Sequence, residues 1–528
     1  MVKANIQGNT RGVRAGFSAF LLACAVALAG PAQARELEVT VQANHPGDTI
    51  SRYLYGQFSE HLGRGVYGGI WVGEDSDIPN TRGLRNDVVG ALRDLHIPVI
   101  RWPGGCFADE YNWRDGIGPR DQRPVRINTH WGWVPETNAF GTHEYFDLLE
   151  QVGSEAYIAG NVGSATPREM AQWLEYITAD NDTTLARLRR ANGRDKPWHV
   201  AFFGIGNETW GCGGNMTPAY YTDLYKRYAT FLKAPRDNQT KKVASGGNDA
   251  HTDWTEALSS GVHGNIDGIS HHYYTTPTGI WEHKGSAIAF PEKEWISTFQ
   301  NTMRIDGYLR ANEAVLERND PDNRIGLYLD EWGTWYDPEQ GREAGFLYQQ
   351  NSIRDALVAA LNFNIFHRHT KRLRMANIAQ TVNVLQAMIL TRGAQMIRTP
   401  TYYAFQMYIP FQDATFVPLD LGDVPQYALG DYAVPQVSAS AALTKDGRLV
   451  VALVNLSASD AIDIKTKVDG FGAGKATGTV LTGSTIDAHN TFDKPDTVKP
   501  APLAVGFKGG SMSVKLPARS VSVITLSR

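Results

Sequence analysis

Eight short runs of β-forming residues, several separated by clear helical patterns, follow one another over about 350 residues of the chain. Parallel strands need crossover helices, and eight such units close a sheet on itself, so the pattern predicts an α/β fold, a (β/α)8 TIM barrel. A doubly wound open sheet is the alternative, but no GxGxxG sequence follows the first run to indicate dinucleotide binding. The eight runs are residues 53–60, 99–102, 156–159, 200–205, 243–245, 268–273, 325–329 and 375–379.

Two of the predicted helices carry recognisable start signals. The sequence TPRE at positions 166–169 is a capping box with proline at the first helical position. Thr217 and Pro218 repeat that signal before an apolar and aromatic stripe that begins at Tyr221. Spacing of three and four residues along this stripe predicts core packing rather than a platform for binding sugars.

The character of the sequence changes at about Pro435, where short alternating strands separated by turns begin. This pattern predicts a C-terminal all-β sandwich of the jelly-roll type. Residues 36–42 alternate in the same way and are expected to add a strand to that sandwich. The expected boundaries are a strand joining the sandwich at 35–50, the catalytic barrel at 51–398, and a helical connection with the sandwich at 399–528.

The first 34 residues have the composition of an export signal. Three basic residues without any acid precede an apolar stretch at positions 16–30, and Ala32, Gln33 and Ala34 form a small-x-small cleavage site. The stretch is short of the roughly 20 residues that span a bilayer. The pattern therefore predicts a signal peptide cleaved near Ala34, an exported protein in the periplasm or the medium, and no membrane association.

Charge and composition restrict the partners. The chain has 51 Lys and Arg against 55 Asp and Glu, a formal net charge of −4. That balance offers no basic field for a polyanion, so nucleic acid is not an expected partner. The 13 Trp, 22 Tyr and 20 Phe include planar rings of the kind that stack on sugars.

The chain has three cysteines, one of which, Cys24, falls in the predicted signal. Cys106 and Cys212 remain, and both lie in glycine-rich turns. Two cysteines cannot be the framework of a domain this large, so free, shielded thiols are expected. Nothing in the local sequence specifies the base that a thiol nucleophile would need.

Three of the predicted barrel strands end in glutamate, at Glu60, Glu208 and Glu331. Active sites of TIM barrels lie where the strands end, so these carboxyl groups are expected to face one cavity. Two such carboxyl groups are the minimum apparatus for glycoside hydrolysis. Asn207, directly before Glu208, is placed to bind a substrate hydroxyl beside the reacting carbon.

Four longer motifs give this pattern a specific resemblance. They are YGQFSEHLGR at 55–64, RWPGGCFADEYNWRDGIGP at 101–119, GNETWGCGGNM at 206–216 and DEWGTW at 330–335. The sequence resembles glycoside hydrolase family fifty-one, the α-L-arabinofuranosidases, among the clan A retaining glycosidases. The resemblance extends from about Glu36 to the C-terminus.

The resemblance implies a role for each site residue. Glu208 is the general acid/base and Glu331 the nucleophile. The residues that contact substrate are Glu60, Cys106, Asn207, His272, Tyr274, Trp335 and Gln380, with Gln386 as the alternative to Gln380. No cofactor is expected, and no metal, because the adjacent His271 and His272 point to opposite faces of a strand.

The resemblance further implies an exo-acting retaining α-L-arabinofuranosidase that removes terminal arabinofuranose from arabinoxylan, arabinan or their oligosaccharides. A homo-oligomer is consistent with it. Another retaining glycosidase, a β-xylosidase or β-1,4-glucanase, is the alternative within this class, since a catalytic pair alone does not select the sugar. A catalytically silent carbohydrate-binding protein is the alternative from a different class.

Overall fold

The computed structural model describes residues 36–528. The predicted signal peptide and Cys24 lie outside the described residues. None of the helices within residues 36–528 is both long enough and apolar enough to cross a bilayer.

A closed barrel of eight parallel strands forms the larger part of the fold, which confirms the predicted class and excludes an open sheet. Each strand pairs with the next along the chain, and the eighth pairs with the first. The strands, here numbered one to eight in chain order, are Gly56–Phe58, Val99–Trp102, Glu155–Gly160, Phe202–Ile205, Lys241–Ala244, Gly268–Thr275, Gly326–Thr334 and Leu373–Ala379.

Helices connect the barrel strands and cover the outside of the barrel. Two of them begin as the sequence predicted, since the hydroxyls of Thr166 and Thr217 accept backbone N–H groups of the first turn. Tyr221, Tyr225 and Tyr228 are buried, which confirms core packing. The helices are Asn86–Asp94, Thr142–Val152, Pro167–Thr178, Thr184–Ala191, Pro218–Phe231, Asp253–Gly261, Glu292–Asn319, Ile353–Phe366 and Pro400–Tyr408.

Seven of the eight barrel strands differ from their predicted bounds, the first and the seventh by the most residues. The first is shorter, because Arg52–Tyr55 form a 3-10 helix whose N-terminus is capped by the Ser51 hydroxyl. The seventh is longer and runs through Asp330 and Glu331 to Thr334, with every residue buried. The neighbouring strands on both sides pair with its backbone N–H and C=O groups. The strand therefore extends past the apolar run from which it was predicted.

A β-sandwich of two sheets occupies the C-terminal part, with a shared apolar core between the sheets. The strand Glu36–Gln42 lies in it, parallel to Ile462–Asp469. One sheet has the order Leu419–Asp420, Glu36–Gln42, Ile462–Asp469, Ser511–Leu516, Val505–Lys508. The other has the order Thr415–Val417, Val437–Leu443, Leu449–Asn455, Ser520–Ser527, Lys475–Thr482, Ala501–Leu503.

Hairpins outside these sheets are Asn80–Thr81 with Leu84–Arg85, Arg126–Asn128 with Val134–Glu136, Ile389–Arg392 with Gln395–Arg398, and Gln426–Leu429 with Tyr432–Pro435.

The barrel and the sandwich pack directly on each other. Every residue of the helix Ile353–Phe366 is buried between them. Just beyond that helix, His367 Nδ1 lies 2.8 Å from the Ser440 hydroxyl of the sandwich. The Trp295 indole N–H donates to the Leu456 carbonyl at 2.8 Å. The sandwich therefore covers apolar barrel surface and is part of one folded body.

Candidate active site

A cavity of about 590 Å³ opens at the carboxyl ends of the barrel strands. Eight of the nine predicted site residues line it, which are Glu60, Cys106, Glu208, His272, Tyr274, Glu331, Trp335 and Gln380. The ninth, Asn207, is 2% exposed and lies just beneath the cavity. The amide oxygen of Asn207 accepts from Arg101 Nη2 at 2.6 Å, so in this structure Asn207 orients an arginine.

Glu208 follows the fourth strand on a sharp turn. Its φ is +40° and that of Gly206 is +89°, both in the left-handed region. Backbone N–H groups of Gly211 and Gly213 donate to the Glu208 carbonyl at 2.7 and 3.2 Å, which holds the turn closed. Burial raises the pKa of the Glu208 carboxyl, and its hydrogen bond to charged His272 offsets this only in part. The turn thus presents a carboxyl group that holds its proton more tightly than an exposed glutamate does.

Glu331 lies inside the seventh strand and is held at both oxygens. Arg101 Nη1 donates to Oε1 at 2.8 Å, and the Tyr274 hydroxyl donates to Oε2 at 2.7 Å. One oxygen of Glu331, one oxygen of Glu208 and a ring nitrogen of His272 lie within 4.8 Å of one another. The two carboxyl groups therefore face each other across one small space.

His272 connects the two strands that carry acidic groups. Its Nδ1 lies 2.9 Å from Glu208 Oε1, and its Nε2 lies 3.0 Å from Asp330 Oδ1. Burial lowers the pKa of His272, but the charges of Glu331 and Asp330 and the hydrogen bonds to Asp330 and Glu208 outweigh it and raise the pKa to about 10. The imidazolium donates from both nitrogens.

His272 also belongs to a group of side chains whose spacing would suit a metal ion. The Glu208, His272 and Glu331 ligand atoms are close enough together to surround an ion. Both ring nitrogens of His272 are already hydrogen-bonded in this arrangement, to Glu208 and to Asp330. His271 is buried as well, and its ring nitrogens have no hydrogen-bond partner among residues 36–528. His271 is not part of the group formed by Glu208, His272 and Glu331.

Glu60 and Gln380 form a closed hydrogen-bonded pair on the opposite side of the cavity. Glu60 Oε1 accepts from the backbone of Gly105 at 2.9 Å and of Phe107 at 3.0 Å. Gln380 Nε2 donates to Glu60 Oε2 at 3.2 Å, and Glu60 N donates to Gln380 Oε1 at 3.1 Å. Burial, followed by the charge of Glu331, raises the pKa of Glu60 to about 7.

Gln386, the alternative to Gln380, is engaged elsewhere. Its Oε1 accepts from Thr334 N at 2.8 Å, and its Nε2 donates to the Asp355 carbonyl at 2.8 Å. Gln386 is not among the residues that line the cavity. The structure thus brings Gln380, rather than Gln386, to the site.

Cys106 and Cys212 form a disulfide, so the prediction of free thiols is wrong. The two residues are 106 positions apart in sequence. They follow the second and fourth strands, and their turns meet over the cavity at a Cα–Cα distance of 5.4 Å. The sequence around each cysteine does not indicate that the two are close, because they become neighbours only when the barrel closes. Cys212 Sγ lies 3.5 Å from Glu208 Oε2, so the disulfide forms part of the wall beside Glu208.

Trp335 forms an aromatic wall. Its ring packs edge-on against Tyr274 at 5.0 Å and tilts against Trp281 at 4.8 Å, centroid to centroid. Trp131 and Trp210 also line the cavity. Planar aromatic faces of this kind are surfaces on which an apolar face of a sugar ring can pack.

Sequence reasoning missed three charged residues of the site, Arg101, Asp109 and Asp330. Arg101 is 1% exposed and contacts Glu331, Asn207 and, with Nε 3.5 Å from Oδ2, Asp330. Asp109 accepts three backbone N–H groups, including that of Asn207 at 3.0 Å. Burial raises the pKa of Asp109 to about 7. A signal was present for Arg101, because an arginine in the apolar run VIRW at 99–102 needs a buried partner.

Comparisons with known proteins agree with this geometry. Residues 91–288 match the model of the α-L-arabinofuranosidase 1 domain, and residues 330–520 match that of the α-L-arabinofuranosidase C-terminal domain. An intracellular exo-α-L-arabinofuranosidase of Bacteroides ovatus is 48% identical, with 96% of this chain and 98% of that protein covered. The chain belongs to the α-L-arabinofuranosidases of glycoside hydrolase family fifty-one.

Solved structures of this family have the same fold. The family enzyme from Xanthomonas axonopodis pv. citri superimposes with a TM-score of 0.92 at 50% identity, covering 93% of this chain and 100% of that one. The α-L-arabinofuranosidase from Thermotoga petrophila RKU-1 gives 0.82 at 30% identity, covering 93% and 99%. The barrel with its C-terminal all-β domain is thus the architecture of the family.

One prediction is contradicted by these relatives. The Bacteroides ovatus arabinofuranosidase, which matches nearly the whole chain, is named as intracellular. The prediction of an exported protein with a cleaved signal peptide is therefore wrong. Residues 1–34, on which it was based, lie outside the described residues. A basic start followed by a short apolar stretch is a compositional feature, and composition alone does not show that a segment is recognised and cleaved.

Proposed function

We propose that this arabinofuranosidase is exo-acting and retaining, and that it releases terminal non-reducing α-L-arabinofuranosyl residues from arabinoxylan, arabinan or derived oligosaccharides. The observation that carries the proposal is the pairing of two carboxyl groups in contrasting surroundings. Glu208 contacts the sulfur of Cys212 and has a raised pKa, whereas Glu331 is bound by Arg101 and Tyr274. This is the contrast that a general acid and a nucleophile need.

In the first step, Glu331 attacks the anomeric carbon while Glu208 gives its proton to the departing oxygen. The bond to the leaving group breaks, and an ester forms between the sugar and Glu331. In the second step, Glu208 takes a proton from water, which attacks the anomeric carbon and releases Glu331. Arg101 and Tyr274 fix the direction of the attacking carboxylate by their hydrogen bonds.

The separation of the two carboxyl groups supports retention of configuration. Retaining glycosidases place them about 5–5.5 Å apart, whereas inverting enzymes leave about 6.5–9.5 Å for a water molecule. The oxygens of Glu208 and Glu331 approach within 4.8 Å. So close an approach supports a retaining rather than an inverting reaction.

The surroundings of Glu60 support recognition of a terminal sugar. Glu60 and Gln380 line the cavity together. Their polar atoms are held by backbone N–H groups and by each other, so they are ordered before substrate enters. A pocket of fixed hydrogen-bonding groups selects hydroxyl positions on one sugar ring.

The roles of the two carboxyl groups can be separated by azide rescue of alanine variants. Glu208→Ala is expected to keep much of its first-step rate on nitrophenyl arabinofuranoside, because an acidic phenol needs little protonation. Azide then intercepts the ester and gives a glycosyl azide of retained configuration. Glu331→Ala is expected to lose activity on every leaving group, and azide in the vacated space gives the inverted product. Proton NMR of both adducts is the measurement.

A control variant and four alternative outcomes test the proposed reaction further. Glu317→Ala removes an exposed carboxylate that pairs with Lys371 outside the cavity, and its kinetics should match those of the unchanged enzyme. Exchanged azide products would exchange the two roles, and an inverted first product from the unchanged enzyme would refute retention. Turnover of nitrophenyl xyloside or glucoside but not arabinofuranoside would indicate another retaining glycosidase. No turnover at all would indicate a silent binding protein.

A further inference from the structure

The cavity extends beyond the catalytic carboxyl groups to a second, polar end. Its volume of about 590 Å³ is in the range that holds drug-sized ligands, which is more than one five-carbon sugar fills. The lining there comes from the loop after the fifth strand and from helix Glu292–Asn319. Asp249 and Arg304 are the charged groups of this end, and we call it the distal end.

The distal end lies on the Glu208 side of the site. His272 N donates to the Gly247 carbonyl at 3.2 Å, and Asp249 N donates to the His272 carbonyl at 3.3 Å. The ring of that same His272 binds Glu208 at 2.9 Å. Because a general acid faces the leaving oxygen, the distal end is where the leaving part of a substrate extends.

Helix Glu292–Asn319 holds the distal end in place. Arg304 and Tyr308 are four residues apart and so share one face of the helix. The Tyr308 ring packs edge-on against Tyr273 at 5.3 Å, and the Tyr273 hydroxyl donates to the Asn301 carbonyl. The helix is therefore fixed against the sixth strand, and the position of Arg304 is set with it.

Asp249 and Arg304 have no ion-pair partner within 4.0 Å anywhere in residues 36–528. Both are exposed to the cavity mouth. A carboxylate accepts a hydrogen bond from one hydroxyl, and a guanidinium donates to the oxygen of the next. Opposite charges on one wall suit an uncharged ligand with neighbouring hydroxyl groups and give no net attraction for an acid.

We propose that Asp249 and Arg304 form a binding site for the sugar unit on the leaving side of the scissile bond and recognise two neighbouring hydroxyl groups of that unit. The proposal rests on the proposed arabinofuranosidase reaction and specifies its leaving group. The same diol chemistry is offered by an arabinose unit of arabinan and by a xylose unit of arabinoxylan.

The test compares substrates with and without a leaving sugar. Arg304→Met and Asp249→Asn should each lower kcat/KM about tenfold on arabinofuranosyl-arabinose, on arabinofuranosyl-xylose, or on both. Neither variant should change kcat/KM on nitrophenyl arabinofuranoside, whose leaving group has no diol. Loss on one disaccharide alone identifies the source of the leaving sugar.

Two controls distinguish recognition from a structural effect. Arg318→Met makes the same change on the same helix, at a side chain that is 61% exposed and pairs with Glu256, and should alter no rate. Disaccharides lacking one hydroxyl of the leaving unit should be poorer substrates for the unchanged enzyme. The Arg304→Met variant should not distinguish the disaccharide that lacks the hydroxyl bound by Arg304 from the parent disaccharide.

The outcomes that refute the site differ from those that refute the reaction. Unchanged kcat/KM of both variants on both disaccharides would refute the binding site and leave the reaction standing. Equal losses on the nitrophenyl substrate would show that Asp249 and Arg304 act on the reacting sugar instead. Failure of the unchanged enzyme on nitrophenyl arabinofuranoside would refute the proposed reaction, and the binding site with it.

Discussion

Arg101 Nη1 lies 2.8 Å from Oε1 of Glu331, and both side chains are almost completely buried. The same guanidinium contacts Asn207 and Asp330, so three acceptors share one planar cation. Burial favours loss of the charge of Arg101, but the charges of Asp330 and Glu331 raise its pKa above the ordinary value. The proposed nucleophile is therefore oriented by a cation that stays charged throughout the accessible pH range.

Arg101→Lys should reduce kcat on nitrophenyl arabinofuranoside by about a hundredfold or more, because a lysine ammonium cannot reach all three acceptors. Steady-state kinetics would measure this. Arg85→Lys is the matched control, since Arg85 is equally buried and pairs with Asp87 away from the cavity. A kcat for Arg101→Lys within threefold of the unchanged enzyme would contradict the proposed orientation.

Stability should depend on pH through Glu60. Burial, with the charge of Glu331, raises its pKa from 4.5 to about 7, so between these values the folded state binds a proton that the unfolded state releases. The stabilisation is complete below pH 4.5 and is lost as the pH rises through 7, a change of up to about 3 kcal/mol.

Glu60→Gln removes this titration, so its unfolding free energy should fall less between pH 5 and pH 8 than that of the unchanged enzyme. Urea unfolding at both pH values is the measurement. Glu317→Gln, at an exposed site, should leave the pH dependence unaltered. Parallel pH dependences for Glu60→Gln and the unchanged enzyme would show that the Glu60 pKa is not raised.

Trp335→Ala should weaken catalysis without unfolding the protein. The lost aromatic contact is about 0.5–1.5 kcal/mol, equivalent to a roughly two- to twelvefold lower kcat/KM on nitrophenyl arabinofuranoside. Trp133→Ala is a fitting comparison, because Trp133 is 71% exposed and does not line the cavity. Unchanged kinetics would show that Trp335 does not bind the substrate. Loss of the fold would show that Trp335 is needed for the core.

Truncation near Pro435 should yield insoluble protein. It removes the surface against which the fully buried helix Ile353–Phe366 packs, and it leaves the Trp295 indole N–H without the Leu456 carbonyl. Solubility and circular dichroism of the shortened chain measure this. A soluble and fully active product would mean that the sandwich is dispensable.

Thiol alkylation of unfolded, unreduced protein should leave the peptides of Cys106 and Cys212 unlabelled. Labelling should appear at both positions only after reduction, because the two sulfurs are joined. Peptide mass spectrometry gives the result directly. Labelling of both peptides without reductant would show that Cys106 and Cys212 are free thiols.

Much of the barrel could be predicted from sequence because each strand is a local apolar run. The second strand, Val99–Trp102, has its predicted bounds, since three of its four residues are apolar and Pro98 and Pro103 flank it. The seventh strand was underestimated because its last residues include Asp330 and Glu331. Their burial depends on Arg101 and His272 from other strands, and a local pattern contains no information on such partners.

The same limit applies to the site. Glu208 and Glu331 can be predicted because strand ends and family motifs are recognisable in the sequence itself. The Cys106–Cys212 disulfide and the orientation of Glu331 by Arg101 depend on which strands become neighbours across the barrel. The distal charges Asp249 and Arg304 lie in segments without a motif, so only the folded chain brings them to the cavity.

The strand Glu36–Gln42 has a consequence for how the protein is made. Glu36 pairs with Asp463, which follows it by 463 − 36 = 427 residues. At about 5–20 residues per second, a ribosome needs about 20–85 s to synthesise the stretch between them. For most of that time the early strand, with its apolar residues Leu37, Val39 and Val41, lacks both strands that flank it in the sheet, Leu419–Asp420 and Ile462–Asp469. Incorporation of this early strand into its sheet is therefore a late step, which cannot be completed until most of the chain has been synthesised.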